Sequence, residues 1–111
     1  MNEQISIYSL LPTPDINDIS EAEAVQIVGE RLGVRFSYND FFERWEGKSG
    51  RITMALSYSH YFPDIFDGRL YLGADYWYGD GGGASPCDGI DEAVEYLQRA
   101  IERWKTETQE V

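Results

Sequence analysis

Alternation of apolar and polar positions is clearest in the middle of the chain. From Arg51 to Tyr58, the residues Ile52, Met54, Leu56 and Tyr58 fall on one side, and Thr53, Ala55 and Ser57 on the other. This is the period of a half-buried β-strand. Arg69 to Tyr78 repeats the pattern: Leu70, Leu72, Ala74, Tyr76 and Tyr78 share a side, which leaves Tyr71, Gly73, Asp75 and Trp77 on the other. Between them, His60 to Gly68 carries Pro63, Asp64, Asp67 and Gly68, residues that favour turns. The two strands are therefore predicted to pair antiparallel. Val34, Phe36 and Tyr38 predict a shorter strand that ends at an Asn39-Asp40 turn. Phe41 to Glu46 reads either as a second short strand or as a loop carrying Trp45, and Gly47-Lys48-Ser49-Gly50 reads as turn-rich.

Helical spacing brackets this region. Ser20 followed by Glu23 forms a capping box, in which the Ser hydroxyl accepts from the third helical N–H and Glu23 reaches back to the Ser20 amide. Ala24, Val25, Val28 and Leu32 then line one helical face, flanked by Ile27, and Gly33 supplies the left-handed closing residue. Near the other end Ile90, Ala93, Val94, Leu97, Ile101 and Trp104 recur at intervals of three and four. Asp88 is the expected cap of that helix. Asp91 and Glu92 in its first turn, and Arg99, Arg103 and Lys105 late in it, suit the macrodipole, and it is expected to end at about Lys105. Residues 1–18 are expected to form an extended N-terminal arm, because Ile5 to Leu11 alternate and Pro12 and Pro14 stop any ladder. Gly79 to Pro86 is expected to be a loop, since its glycines cost backbone entropy and Pro86 withholds a donor. The predicted fold is one α+β domain spanning residues 1–111: a two-layer sandwich in the order helix, three or four antiparallel strands, helix, with both helices on one sheet face.

The chain has 111 residues, of which 42% are hydrophobic and 14% aromatic, enough for a folded core. One Cys excludes an internal disulfide and a Cys-based zinc site, which fits a reducing compartment. No apolar run is long enough to span a bilayer, and Met1 to Asn17 contains no basic residue for a signal-peptide n-region. A cytoplasmic location is expected. The net charge is −11 and unevenly placed. Residues 1–30 hold six acids and no base, residues 31–63 hold five bases against three acids, and residues 64–95 hold eight acids against Arg69 alone. Such a surface repels nucleic-acid phosphates and favours a basic partner. Solubility alone also accounts for an acidic surplus.

Candidate chemistry is sparse. Gly81-Gly82-Gly83 precedes a helix, yet it matches no phosphate-binding spacing, and Asp88, Asp91 and Glu92 stand where a phosphate would sit. His60 with Asp64, Asp67 and Cys87 is the one grouping with metal-ligand chemistry, but its spacing matches no known motif. No nucleophile elbow is present. The reading is a non-enzyme with no cofactor and no metal site. Tyr71, Asp75 and Trp77 are more informative. If both helices cover the opposite face, these residues lie open to solvent, and exposed aromatics among carboxylates have the composition of a recognition surface. The alternative is that an arm or a second copy covers that face.

The length, the negative charge, the helix–sheet–helix order and the run Gly81-Gly82-Gly83-Ala84-Ser85-Pro86 leading into Asp91-Glu92-Ala93 together resemble small acidic accessory proteins of phages and mobile elements, in particular the anti-CRISPR type. The resemblance is one of overall character, since those proteins share no motif. It implies a stoichiometric inhibitor acting as a DNA mimic, or as a block on a moving domain, in the basic groove of a Cas nuclease. The contact set on that reading is Asp64, Asp67, Tyr71, Asp75, Trp77, Asp80, Asp88, Asp91 and Glu95. Two other readings remain: a homo-oligomeric structural protein that pairs through its open sheet face, and a double-stranded-RNA-binding-like module. The acids at the start of the last helix argue against the latter.

Overall fold

Among the described residues, five antiparallel strands follow one another in sequence order across a single sheet. They are β1 (Ser37–Asn39), β2 (Arg44–Ser49), β3 (Ile52–His60), β4 (Leu70–Tyr78) and β5 (Gly81–Cys87). Helix α1 (Glu21–Leu32) precedes the sheet and α2 (Ile90–Gln109) follows it. The computed structural model describes residues 12–60 and 69–109. The β3–β4 pairing places Met54 opposite Tyr76, Leu56 opposite Ala74 and Tyr58 opposite Leu72, so the apolar positions of both strands share one face. Ile52, Met54, Leu56, Leu72, Ala74 and Cys87 meet Ala24, Val25 and Val28 of α1 and Ile90, Ala93, Leu97 and Ile101 of α2 in one buried cluster. Both helices therefore lie on the same side of the sheet, which is the predicted α+β sandwich. Among the described residues, no helix is long and apolar enough to cross a membrane.

The capping box of α1 forms as predicted: Ser20 Oγ accepts from Glu23 N at 3.1 Å, and Glu23 Oε1 accepts from Ser20 N at 2.9 Å. Gly33 closes the helix at φ 72°. A second carboxylate in that first turn ties the helix to the sheet. Glu21 accepts from the Trp45 indole Nε1 at 3.1 Å and from the Tyr58 backbone N at 2.8 Å. The Tyr58 hydroxyl faces the carbonyls of Ile16, Ile19 and Ser20 at 3.0, 3.1 and 3.2 Å, and donates to one of them at a time.

Several sequence expectations are corrected. The strand expected over Val34 to Tyr38 is confined to Ser37–Asn39. Val34 is buried, and the Val34–Phe36 segment passes over β2 at Gly47: a Cβ there would meet the Arg35 carbonyl oxygen and Val34 Cγ1 at 2.8 Å each. Gly47 thus belongs to a strand and not to a turn, and only Gly50, at φ 63°, and Arg51 remain for the β2–β3 turn. The segment expected as an extended arm contains a single-turn 3₁₀ helix at Ile16–Asp18 within residues 12–18, with Ile16 buried and Asp15 capping it. At α2, Gly89 and not Asp88 provides the first carbonyl, which accepts from Ala93 N, while the Asp88 N–H donates to Glu92 Oε1. That helix also runs past Lys105, to Gln109.

The largest correction concerns Gly79 to Pro86. Most of this predicted loop is strand β5, in register from Tyr78 opposite Gly81 to Leu72 opposite Cys87, and it brings the sheet to five strands. Glycine is required there by close approach. A Cβ on Gly82 would lie 2.7 Å from the Tyr76 carbonyl oxygen, and one on Gly83 would lie 2.7 Å from the Tyr96 hydroxyl and 3.0 Å from Tyr76 Cε1. Pairing and aromatic packing offset the entropy of the glycines, and Pro86 is tolerated because β5 is an edge strand.

Two measurements test this account. Gly47→Ala is expected to lower stability by about 1–3 kcal/mol through overpacking against backbone, read as the shift in urea midpoint at unchanged slope. Burial, reinforced by the nearby carboxylates of Glu21, Glu23 and Asp15, raises the Tyr58 phenol to about 12, against about 10 in the unfolded chain. The unfolded state then loses its proton first, so the contribution of Tyr58 to stability is intact below about pH 10 and lost as pH rises toward 12. Comparing unfolding midpoints at about pH 9 and 11, Tyr58→Phe is expected to show a shallower alkaline loss than the parent protein.

Candidate functional site: the uncovered sheet face

The helices cover one face of the sheet, and strand alternation assigns the residues of the other. In register across it run Glu46, Ala55, Asp75 and Ala84 in one row, and Lys48, Thr53, Trp77 and Gly82 in the next. Arg44 shares this face with Glu46, two positions along β2. Its guanidinium is held from several sides. Nε donates to Glu46 Oε2 at 2.6 Å, and Cζ lies 4.7 Å from the Phe42 ring centroid and 5.0 Å from that of Trp77. An Arg over two aromatic rings is a cation–π arrangement that favours this placement of the guanidinium. Ala55, flanked in register by two carboxylates, is only 3% exposed although its face carries no helix.

The two carboxylates in that row differ in environment. Hydrogen bonds from Asn39 Nδ2, at 3.1 Å, and from Arg44 hold Glu46 below the usual carboxylate range. Desolvation pushes Asp75 up, against the opposing pull of Arg44. Partly desolvated carboxylates that carry a net penalty are more frequent at functional sites than on ordinary surface.

At the end of the β1–β2 hairpin, Phe41 is 84% and Phe42 56% exposed, with their rings edge to face at 4.8 Å. Asn39 Oδ1 accepts from the backbone N–H groups of Phe41 and Phe42, which shapes this turn, and Glu43 completes it at φ 55°. Asp40 and Glu43 flank the pair in sequence. Trp77, at 36% exposure, continues the aromatic surface on β4. The sequence-predicted contact set does not include Phe41, Phe42 or Arg44. The adjacent Phe pair directly after a turn signal was the available clue, because a hairpin tip has no room to bury two aromatic rings.

The sequence-predicted contact residues do not form one patch. Tyr71, Asp75 and Trp77 lie on the uncovered face, and Asp80 is in the β4–β5 turn at its margin. Asp88, Asp91 and Glu95 belong to the helix layer. Asp91 accepts from Arg31 at 2.7 Å and from Thr13 at 2.8 Å, Asp88 lies 4.0 Å from Arg69, and Glu95 lies 3.4 Å from Arg99. Asp64 and Asp67 lie outside the described residues. Asp88 and Asp91 instead line a shallow groove of about 590 Å³ with Asp15, Asn17 and Arg69. A second groove, of about 480 Å³, lies beside α1 and is lined by Val25, Gly29, Phe36 and Trp45.

Among the described residues no three potential metal ligands cluster. Cys87, considered with His60 as a ligand, is 1% exposed, and burial pushes its thiol up to about 11, where little thiolate exists at neutral pH.

Comparison with models of known protein families, with curated proteins and with solved structures found no significant match.

The raised Asp75 gives a prediction with a definite sign. A carboxyl whose folded value exceeds its unfolded one binds its proton more tightly when folded, so its unfavourable effect on stability develops as pH rises through the acidic range and persists at neutrality. Asp75→Asn is therefore expected to keep or raise the melting temperature at pH 7 and to remove part of the stability lost between about pH 4 and 7, as read by thermal unfolding at both pH values.

Proposed function

We propose that the protein is a non-enzymatic binding protein that uses its uncovered sheet face to occupy a basic, nucleic-acid-binding surface of a partner protein. The observation that carries this reading is the contact of Arg44 with the Phe42 and Trp77 rings beside the partly desolvated Asp75, on a face that neither helix covers. Aromatic and Arg side chains held rigidly before binding are the composition of interface hot spots, because little conformational freedom is lost when the partner arrives. Exposed Phe41 and Phe42 extend the anchor. Asp40, Glu43, Asp75 and Asp80 surround it with acid, and a net charge of −11 steers the protein toward cationic grooves.

Inhibition follows from occupancy: a groove lined by Lys and Arg that holds this protein is closed to a phosphate backbone. A Cas nuclease presents such a groove, and the resemblance to anti-CRISPR proteins makes it the partner to test first. On this reading the contacts on the uncovered face are Tyr71, Asp75, Trp77 and Asp80, with Phe41 and Phe42 beside them.

Tagged protein is to be titrated against a panel of RNA-loaded Cas nucleases at low salt and at about 150 mM salt. The expected result is saturable binding to at least one nuclease and loss of its target-DNA binding. Trp77→Ala should weaken that binding by roughly 30-fold, the scale of an interface hot spot, and Asp75→Lys with Asp80→Lys should weaken it further at low salt. Binding that both variants leave unchanged would rule out this face as the contact surface. A dimer of the protein alone that Trp77→Ala dissociates would assign the face to self-association.

A further inference from the structure

The sheet has two edges, and they differ. β1 is three residues long, so one side of the sheet offers almost no template. β5 spans seven residues, Gly81–Cys87, with no charged side chain among them, and among the described residues β4 is its one neighbour in the sheet. The residues Gly79 and Asp80 form a two-residue loop between Tyr78 and Gly81, with Gly79 at φ 52°. A positive φ at the first loop position fits the tight hairpin turns whose closing pair exchanges both backbone hydrogen bonds. Antiparallel alternation then makes Tyr76 with Gly83, Ala74 with Ser85 and Leu72 with Cys87 the remaining hydrogen-bonded pairs. Gly82, Ala84 and Pro86 consequently turn their backbone groups away from β4, and all three are exposed. The outer edge presents the N–H and carbonyl groups of Gly82 and Ala84, while the Pro86 carbonyl accepts from Ser85 Oγ at 3.3 Å. Pro86 sits where its missing N–H costs the β4 ladder nothing.

We propose that this edge accepts an extended, basic segment of the partner as a sixth strand. The inference rests on the reading that the partner is basic, and it adds how that partner is held. Charge selects the occupant. Asp80 lies in the turn at one end of β5, Asp75 stands opposite Ala84 in its middle, and Asp88 and Glu92 meet at its far end, where Glu92 Oε1 accepts from the Asp88 backbone. The nearest base at that end, Arg69, is 4.0 Å from Asp88. A second copy of the chain paired edge to edge would set these acids against their equivalents, at a net charge of −11 per chain. A strand with Lys or Arg at alternate positions places its cations beside the acids, while its backbone meets the outward N–H and C=O groups.

A synthetic peptide in which Lys and Val alternate serves as the probe, against the full chain at about 150 mM salt. Backbone amide shifts and hydrogen exchange are read by NMR. The expected result is saturable binding, with shifts and at least tenfold slower exchange at Gly82 and Ala84. The same peptide N-methylated at alternate residues should bind at least tenfold more weakly. Ala84→Pro removes an outward N–H without touching the β4 ladder and should weaken the unmodified peptide to the same degree. If that variant does not fold, the N-methylated peptide makes the same test from the other side. Equal binding of the two peptides, or unchanged exchange at Gly82 and Ala84, overturns the edge site and leaves the basic-partner reading standing. No binding of either peptide also overturns it, and the Trp77 and Asp75 variants in the nuclease titration judge the broader reading independently. A dimer of the chain that Ala84→Pro dissociates overturns it in favour of a second copy.

Discussion

The structure depends on one constraint: the large buried side chains of β3 and β4 fall on one face, and both helices cover that face. Ile52, Met54, Leu56, Leu72 and Ala74 are 0–1% exposed, and each lies under a helix. A one-residue slip of either strand would carry this set to solvent, so the register is strongly held. Among the described residues there are two α-helices, and both pack on that face. The other face is covered by neither helix, and the candidate binding surface lies there.

The bare face is not loosely arranged. The hydrogen bonds that Asn39 and Arg44 make to Glu46, and the seating of Arg44 between Phe42 and Trp77, tie β1, β2, the hairpin tip and β4 together across β3. Small residues make this possible, because Ala55 in the central strand leaves room for a long side chain to cross above it. On the opposite face, Glu21 fastens α1 to β2 and β3 through Trp45 and Tyr58, in keeping with the position of a carboxylate at a helix N-terminus. Each face therefore has a carboxylate that joins distant parts of the chain, one in the helix layer and one on the exposed side.

Charge acts at a different range from these contacts. The acids of the helix layer, Asp88, Asp91 and Glu95, each have an Arg nearby, so they contribute local pairing more than unbalanced field. Such exposed pairs add little to stability. The acids that surround the aromatic surface lie on loops and on β4. They lie beside the exposed rings of Phe41, Phe42 and Trp77, outside the ion pairs of the helix layer.

Sequence alone determined the parts governed by local rules. The α1 capping box and Gly33 closure, the inward sets of β3 and β4 and the apolar stripe of α2 were all legible, because capping chemistry and periods of two and 3.6 act over a few residues. From the alternation of β4 it also followed that Tyr71, Asp75 and Trp77 share a face opposite the core. What tertiary structure decided is what long-range packing imposes. Gly81 to Cys87 is a strand because β4 lies beside it and the rings of Tyr76 and Tyr96 press on Gly83, neither of which is visible in a glycine run. Gly47 is strand and not turn because the Val34–Phe36 segment crosses it. The Phe42–Arg44–Trp77 stack joins residues more than thirty positions apart, and no periodicity reaches that far. Local patterns set which side of each element is buried; only the packed sheet set which exposed side chains meet.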